Sequence, residues 1–264
     1  MYMSPAEKAG DIFLFISGEM WYSQIMKSCE GGEGMTAQKR MLQDIPVILW
    51  GEPSDKIYIH VHGKMSCKES AREFAGIAAE KGYQTISFDL PMHGERTDPA
   101  RRCDIWNGVR DLKTVGDYVF SNWKEVSLYG CSLGAYFSLH AYGNRNFRKC
   151  LFQSPIVDMD YLIGQMMLWF GITEQRLREE REIETPIDLM TWDYYRYVKD
   201  NPITSWDVPT AILYGAKDTL QSRQAMEHFC DNYGCRLTVA EHSDHPFMDE
   251  QDGPIVTEWM RENI

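Results

Sequence analysis

The chain has 264 residues, of which 44% are hydrophobic and 25% are charged, so it is neither disordered nor too short to bury a sizeable core. With 39 acidic and 27 basic residues its formal net charge is −12, which argues against nucleic acid and anionic membrane surfaces as partners. No stretch approaches the about 20 apolar residues of a membrane span, so no membrane-spanning segment is expected.

The cysteines and the early apolar run bear on the cellular compartment. The cysteines lie at positions 29, 67, 103, 131, 150, 230 and 235, and no C-x-x-C pair occurs among them. The apolar run 12–16 is too short for the core of a signal peptide. These features favour reduced thiols and a cytoplasmic location, without a structural metal.

Secondary structure becomes readable from Gln43 onward, after a glycine-rich segment at 29–35 that is typical of a loop. Two β-rich runs, 44–50 and 56–62, flank the turn cluster 51–55. This spacing predicts a β-hairpin that adds antiparallel strands at one edge of the sheet.

Helices and strands then alternate along the chain. Helices are predicted at 67–82, 104–123, 133–143, 221–234 and 254–264, and strands at 83–90, 125–130, 148–154, 209–215 and 235–241. This alternation is typical of right-handed crossovers and of a mostly parallel sheet with helices on both faces.

Residues 155–205 interrupt the alternation. They contain no convincing strand, and their apolar and charged runs favour helices. The sequence therefore predicts a core domain formed by 1–154 and 206–264, with a helical insertion at 155–205.

A Gly130-x-Ser132-x-Gly134 motif stands between the strand 125–130 and the helix 133–143. A sharp turn at this point exposes the serine hydroxyl, and glycines are needed where side chains would collide. A serine nucleophile needs a base that a carboxylate orients. Asp218 and His245 each follow a later predicted strand, so the chain order predicts Ser132, Asp218 and His245 as a catalytic triad.

Five segments together make the chain resemble the α/β-hydrolase superfamily, in its capped serine esterase, lipase and peptidase type. They are HVHGK (60–64), FDLPMHGER (88–96), YGCSLG (129–134), YGAKD (214–218) and HSDHPF (242–247), and the resemblance extends from about Ile45 to the C-terminus. It implies an α/β-hydrolase fold in which 155–205 is a helical cap. It also implies an oxyanion hole formed by the backbone N–H groups of Lys64 and Leu133.

The resemblance further implies a serine hydrolase that cleaves a carboxylic ester, thioester or amide through an acyl-enzyme. A carboxylesterase for small or medium acyl groups is the first expectation, and no cofactor or metal is expected. The alternatives are a serine peptidase, an acyltransferase with the same triad, or a non-catalytic ligand-binding module. The expected partner is a small-molecule substrate, and the sequence also leaves open whether the protein forms a homodimer.

Three rival assignments also stay open. His242 is an alternative base, Asp158 an alternative acid and Cys131 an alternative nucleophile. His245 is preferred because it precedes a Pro-Phe pair, as the histidine of family members precedes an apolar or aromatic residue. Asp218 is preferred for its loop position, and Cys131 is off-centre in the glycine frame.

Other chemically capable side chains are given structural roles. His60 and His62 are expected to be structural, Asp89 and His93 to shape their loop, and Asp244 to be a solvated neighbour of the triad. In the insertion, Met166 and Trp169 are candidates for an adaptable apolar acyl pocket, with packing on the core as the alternative.

Overall fold

The computed structural model describes residues 35–264. The apolar run 12–16, Cys29 and the predicted loop up to residue 34 lie outside the described residues. Over residues 35–264, no helix combines the length and the apolar character needed to cross a bilayer.

Ten strands are present in the described part of the chain. They are β1 (Ala37–Leu42), β2 (Ile45–Trp50), β3 (Lys56–Val61), β4 (Gln84–Phe88), β5 (Glu125–Cys131), β6 (Cys150–Gln153), β7 (Glu182–Glu184), β8 (Leu189–Thr191), β9 (Thr210–Gly215) and β10 (Arg236–Ala240). Eight of them form one sheet in the order β1-β2-β4-β3-β5-β6-β9-β10. The six strands from β4 across to β10 run parallel, and β2 is antiparallel to both of its neighbours, β1 and β4.

The predicted hairpin of 44–50 with 56–62 is wrong. β2 pairs with β1 on one side and with β4 on the other, so β4 lies between β2 and β3. Every residue of β3 after Lys56 is buried, and this strand occupies the middle of the sheet between two parallel neighbours. The hairpin is instead β1–β2, and β1 escaped detection because its residues are almost all exposed and lack a buried face.

Eight α-helices connect and follow the strands of the described chain. They are α1 (Arg72–Glu80), α2 (Ile105–Asn122), α3 (Leu133–Tyr142), α4 (Met159–Phe170), α5 (Glu174–Glu180), α6 (Trp192–Asp200), α7 (Arg223–Tyr233) and α8 (Asp252–Asn263). Side-chain oxygens cap the N-termini of α2, α4, α5, α6 and α7. Left-handed glycines end α4 and α7.

Helices cover both faces of the sheet. On one face, Phe74 of α1 and Trp259 of α8 belong to a buried cluster with Tyr58 of β3. On the other face α3 packs closely, since a Cβ atom on Gly134 would lie 2.9 Å from the Cγ1 atom of Val61. Tyr58 and Val61 point to opposite faces because side chains alternate along a strand. The mostly parallel sheet with helices on both faces confirms the predicted fold class.

The described residues divide into two compact units. The smaller is Asp158–Pro202, and the larger comprises the described residues up to Val157 together with Ile203–Ile264. The smaller unit contains α4, α5 and α6 and also the antiparallel pair β7–β8. The expectation that 155–205 contains no strand is therefore wrong, because three-residue strands are too short to show a period-two pattern.

Candidate active site

Ser132 lies at the sharp turn between β5 and α3. Its φ of 48° and ψ of −116° lie outside the conformations that L-residues favour. Its backbone N–H donates to the carbonyl of Gln153 in β6 at 3.1 Å, which ties the turn to the neighbouring strand. Strained backbone of this kind persists where the surrounding structure fixes it. The strand–turn–helix geometry is the one that a G-x-S-x-G motif needs to expose a serine hydroxyl.

The two glycines of the motif are required by close backbone approach. A Cβ atom on Gly134 would lie 2.4 Å from the carbonyl oxygen of His62 and 2.6 Å from that of Val61. A Cβ atom on Gly130 would lie 3.0 Å from the backbone of α3. Any side chain at Gly134 would therefore push α3, and Ser132 with it, away from the end of β3.

Ser132, His245 and Asp218 form one hydrogen-bonded chain. The Oγ atom of Ser132 is 2.8 Å from Nε2 of His245, and Nδ1 of His245 is 2.7 Å from Oδ2 of Asp218. The His245 side chain is 10% exposed and the Asp218 side chain is fully buried. Because the carboxylate only accepts, Nδ1 carries the hydrogen and Nε2 is left to accept the serine proton.

Asp218 is fixed by its own loop, which follows β9. Its second oxygen, Oδ1, accepts the backbone N–H groups of Leu220 at 2.7 Å and Gln221 at 3.0 Å. Charge-assisted bonds of this kind offset the cost of burying a carboxylate. The carboxylate therefore meets the imidazole with its position already set.

The loop that carries His245 is held by residues that the sequence did not single out. The hydroxyl of Ser154 donates to the carbonyl of His245, and the hydroxyl of Ser243 donates to the carboxylate of Asp252. The only sequence signal for Asp252 is its acidic side chain near a helix start. No local motif relates Ser154 to His245, because the two lie far apart in the chain and meet only in the folded structure.

The two predicted oxyanion donors flank Ser132. Leu133 is the first residue of α3, and first-turn N–H groups have no partner within their own helix. Lys64 follows Gly63, where a Cβ atom would lie 3.2 Å from the Cβ atom of Ser132. The peptide that contains the Lys64 N–H thus begins directly beside the serine. The role of both N–H groups in catalysis stays a prediction.

Comparison with known proteins finds similarity in structure only. No protein-family model matches the sequence, and no curated protein matches it significantly. Est1E from Butyrivibrio proteoclasticus, with ferulic acid bound, superposes with a TM-score of 0.70 at 18% identity, covering 86% of this chain and 97% of that one. Mouse α/β hydrolase domain-containing protein 10 gives 0.66 at 17% identity, with coverages of 87% and 97%. The chain has the α/β-hydrolase fold.

A third similar structure is the Pf2001 esterase of Pyrococcus furiosus, with a TM-score of 0.62 at 17% identity, covering 87% of this chain and 89% of that one. At such identities the likeness concerns the fold, and it confirms the resemblance seen in the sequence at that level. The α/β-hydrolase fold presents its nucleophile on a strand-to-helix turn, with the acid and the base following in chain order. In this chain the turn after β5 carries Ser132, and the loops after β9 and β10 carry Asp218 and His245.

The hydrogen-bonded chain described above contains neither the rival base nor the rival acid. His242 is exposed, and the ring that meets Ser132 is that of His245. Asp158 caps α4, where its carboxylate accepts the backbone N–H of Tyr161 at 2.9 Å. The geometry therefore favours His245 and Asp218 over these alternatives.

Cys131 is placed beside the turn but is a poor nucleophile. Burial raises the pKa of its thiol to about 12, so the side chain stays protonated at neutral pH, whereas nucleophilic attack needs the thiolate. Across residues 35–264, no group of three or more His, Cys, Asp or Glu side chains is arranged to hold a metal ion.

His60 lies in the sheet rather than in the site. Its ring stacks on that of Tyr129, with 4.5 Å between centroids and 14° between planes. Burial lowers the pKa of His60 to about 3, so the ring is neutral in the folded protein. Asp89 is also fully buried, and it accepts hydrogen bonds from the backbone N–H groups of Lys68 and Glu95.

Met166 and Trp169 both belong to α4 in the smaller unit. They are three residues apart and share one side of the helix. Met166 is buried and Trp169 is half-buried. Their role as lining of an acyl pocket stays a prediction.

Proposed function

We propose that the protein is a serine hydrolase that cleaves a carboxylic ester, or a thioester or amide, through an acyl-enzyme. The observation that carries this proposal is the chain of contacts from Ser132 Oγ to His245 Nε2 at 2.8 Å and from His245 Nδ1 to Asp218 Oδ2 at 2.7 Å. A nucleophile, a base and an orienting carboxylate in this order are the groups that acyl transfer requires.

In the acylation half of the reaction, the Oγ atom of Ser132 attacks the substrate carbonyl carbon while Nε2 of His245 takes its proton. The buried carboxylate of Asp218 stabilises the imidazolium that forms. The negative oxygen of the tetrahedral intermediate accepts hydrogen bonds from the N–H groups of Leu133 and Lys64, each contributing about 3 kcal/mol. His245 then gives its proton to the leaving group, and the carbon–heteroatom bond breaks to leave the acyl-enzyme.

In the deacylation half, water takes the place of the leaving group. His245 removes a proton from the water as its oxygen bonds to the acyl carbon, and the same two N–H groups hold the second oxyanion. Collapse of this intermediate breaks the bond to Ser132, which recovers its proton from His245. The carboxylic acid product leaves, and the enzyme returns to its starting state.

A carboxylic ester is the proposed substrate class. One of the similar structures is named as an esterase and another, Est1E, holds ferulic acid, a carboxylic acid, and this supports an ester over an amide.

The test is hydrolysis of p-nitrophenyl esters from acetate to palmitate by the wild type and by Ser132→Ala. We expect turnover that peaks at one chain length and vanishes in Ser132→Ala. The matched control is Ser121→Ala, which removes an exposed serine on α2 and should leave turnover unchanged. Full activity in Ser132→Ala would contradict the assigned nucleophile.

Labelling with a serine-reactive phosphonate separates the remaining classes of function. Wild-type protein that turns over no ester but is labelled on Ser132 would redirect the search to amide substrates or acyl acceptors other than water. Protein that is neither active nor labelled would favour a ligand-binding module. The ester series repeated on Met166→Ala and Trp169→Ala tests the predicted acyl pocket, since a lining residue would shift the preferred chain length.

A further inference from the structure

Two histidines outside the triad hold the backbone around Lys64. The Nδ1 atom of His62 is 2.7 Å from the carbonyl oxygen of Gly63, on the peptide that also contains the Lys64 N–H. One residue further on, the N–H of Met65 donates to Nε2 of His93 at 2.9 Å. The segment is thus bonded on both sides of the predicted oxyanion donor.

The hydrogen bonds define where each ring carries its hydrogen. Nε2 of His62 accepts the backbone N–H of Leu90 at 3.0 Å, so its Nδ1 carries the hydrogen and donates to Gly63. Nδ1 of His93 lies 2.8 Å from the carbonyl oxygen of Pro91, which only accepts, so this nitrogen carries the hydrogen and leaves Nε2 as an acceptor. Both rings act in their neutral form with the hydrogen on Nδ1.

The bond to Gly63 also orients the Lys64 N–H. In a trans peptide the C=O and N–H groups lie in one plane and point in opposite directions, so a bond that fixes the carbonyl fixes the N–H as well. Met65 has a φ of 64°, a conformation that is uncommon for a residue other than glycine and that its neighbours have to maintain. Its bond to His93 supplies such a restraint.

The loop that carries His93 is itself rigid. The fully buried carboxylate of Asp89 accepts the backbone N–H groups of Lys68 and Glu95. The same carboxylate pairs with the Nζ atom of Lys68 at 2.8 Å, and only 2% of the lysine side chain is exposed. A Cβ atom on Gly94 would collide with this carboxylate, so the backbone next to His93 closes directly onto it.

We propose that His93 and His62 are positioning residues that hold the Lys64 N–H in the direction needed to bind the oxyanion. This inference rests on the proposed hydrolase function. The two rings lie 5.3 Å apart and bond to successive peptides. Both hydrogen bonds therefore restrain the same group, the Lys64 N–H. The hydrogen bonds of the two rings described above go to backbone groups, and their effect on the transition state is through the position of one donor.

The test compares His93→Leu, which removes the acceptor, with His93→Gln, whose side-chain oxygen replaces Nε2. Two quantities are measured: hydrogen exchange of the Met65 amide by NMR, and kcat and KM for a p-nitrophenyl ester. We expect His93→Leu to exchange its Met65 amide faster and to lose about 10- to 100-fold in kcat with little change in KM. We expect His93→Gln to recover most of both. His228→Leu, on the exposed side of α7, is the matched control.

The outcomes separate the two proposals. Wild-type protein that hydrolyses no substrate overturns the proposed function and the catalytic part of this inference with it. Active wild type together with unchanged kcat in His93→Leu overturns the positioning role alone. Equal losses of kcat in His93→Leu and His93→Gln also overturn the positioning role. A purely structural role would not depend on whether the side chain can accept a hydrogen bond. Should His93→Leu fail to fold, folded His93→Gln decides: wild-type Met65 exchange and wild-type kcat support the proposal, whereas faster Met65 exchange with a lowered kcat overturns it.

Discussion

The hydroxyl of Ser243 donates a hydrogen bond to the carboxylate of Asp252, and this contact ties the loop that carries His245 to the first turn of α8. The other oxygen of Asp252 accepts the backbone N–H of Asp249 at 3.0 Å. One buried carboxylate therefore holds the loop on both sides of His245. The position of the imidazole depends on a residue that does not touch it.

Replacing Asp252 with alanine should lower both stability and turnover. The change leaves the buried hydroxyl of Ser243 without its acceptor, and we expect the free energy of unfolding to fall by about 2–3 kcal/mol. Urea unfolding and kcat for a p-nitrophenyl ester measure the two effects. Glu258→Ala, an exposed acid on the same helix, should stay within about 0.5 kcal/mol of the wild type. Equal stability of the two variants would contradict the role of Asp252.

Asp218→Asn should reduce kcat by about 10³- to 10⁴-fold with little change in thermal stability. The amide oxygen can still accept the N–H groups of Leu220 and Gln221. Its NH₂ group would face Nδ1 of His245 and favour the tautomer with hydrogen on Nε2, which cannot accept a proton from Ser132. Asp158→Asn is the control, because asparagine caps a helix as well as aspartate does, and its kcat should match that of the wild type. A larger loss in Asp158→Asn would reverse the assignment of the acid.

Gly134→Ala should destabilise the protein by at least about 2 kcal/mol and abolish turnover. Its methyl group would meet two backbone carbonyl oxygens at 2.4 Å and 2.6 Å, neither of which belongs to a flexible side chain. Gly164→Ala makes the same chemical change inside α4, where nothing lies within 4 Å, and should raise stability by about 0.5–1 kcal/mol. Thermal unfolding of the pair measures both. Unchanged stability and turnover in Gly134→Ala would contradict this prediction, because α3 could then shift away from β3 without a loss of free energy.

Stability should fall as the pH drops below the usual histidine range, and His60 should contribute to that loss. Burial lowers the pKa of folded His60 to about 3, while the unfolded chain titrates near 6.5, so the unfolded state binds more protons between these values. The stabilisation is complete above pH 6.5 and declines as the pH falls towards 3. At pH 5 the loss is on the order of 2 kcal/mol per histidine of this kind.

His60→Phe tests this pH dependence. Phenylalanine keeps aromatic contacts with Tyr129 and Phe74, and any packing penalty would be the same at every pH. The difference in unfolding free energy between pH 7 and pH 5 should shrink in the variant, and stability between pH 7.5 and pH 8.5 should respond to pH alike in both proteins. Buried His62, whose pKa burial also lowers well below its usual value, should leave a residual slope in the variant. An unchanged difference between pH 7 and pH 5 would exclude His60 as a source.

The predicted strands and helices of the larger unit agree with the structure because each carries a local signal. β3, β5 and β9 are buried β-rich runs, and α2 is an amphipathic helix that Asp104 caps. The predicted pairing of β2 with β3 is wrong because strands that follow each other in the sequence are often, but not always, adjacent in the sheet. β1 and the three-residue strands β7 and β8 carry too little pattern to be detected.

The sequence by itself determined the fold class and the candidate triad. The alternation of strands and helices, the glycine-bounded serine and the order Ser132, Asp218, His245 can all be recognised from short stretches of the chain. Only the tertiary structure decided which histidine meets the serine, which carboxylate meets that histidine, and which side chains hold them. Contacts such as Ser154 with His245 and His93 with Met65 join separate loops at the ends of strands. Their geometry follows from the order of strands across the sheet, which depends on how the whole core packs and which no short stretch of sequence specifies.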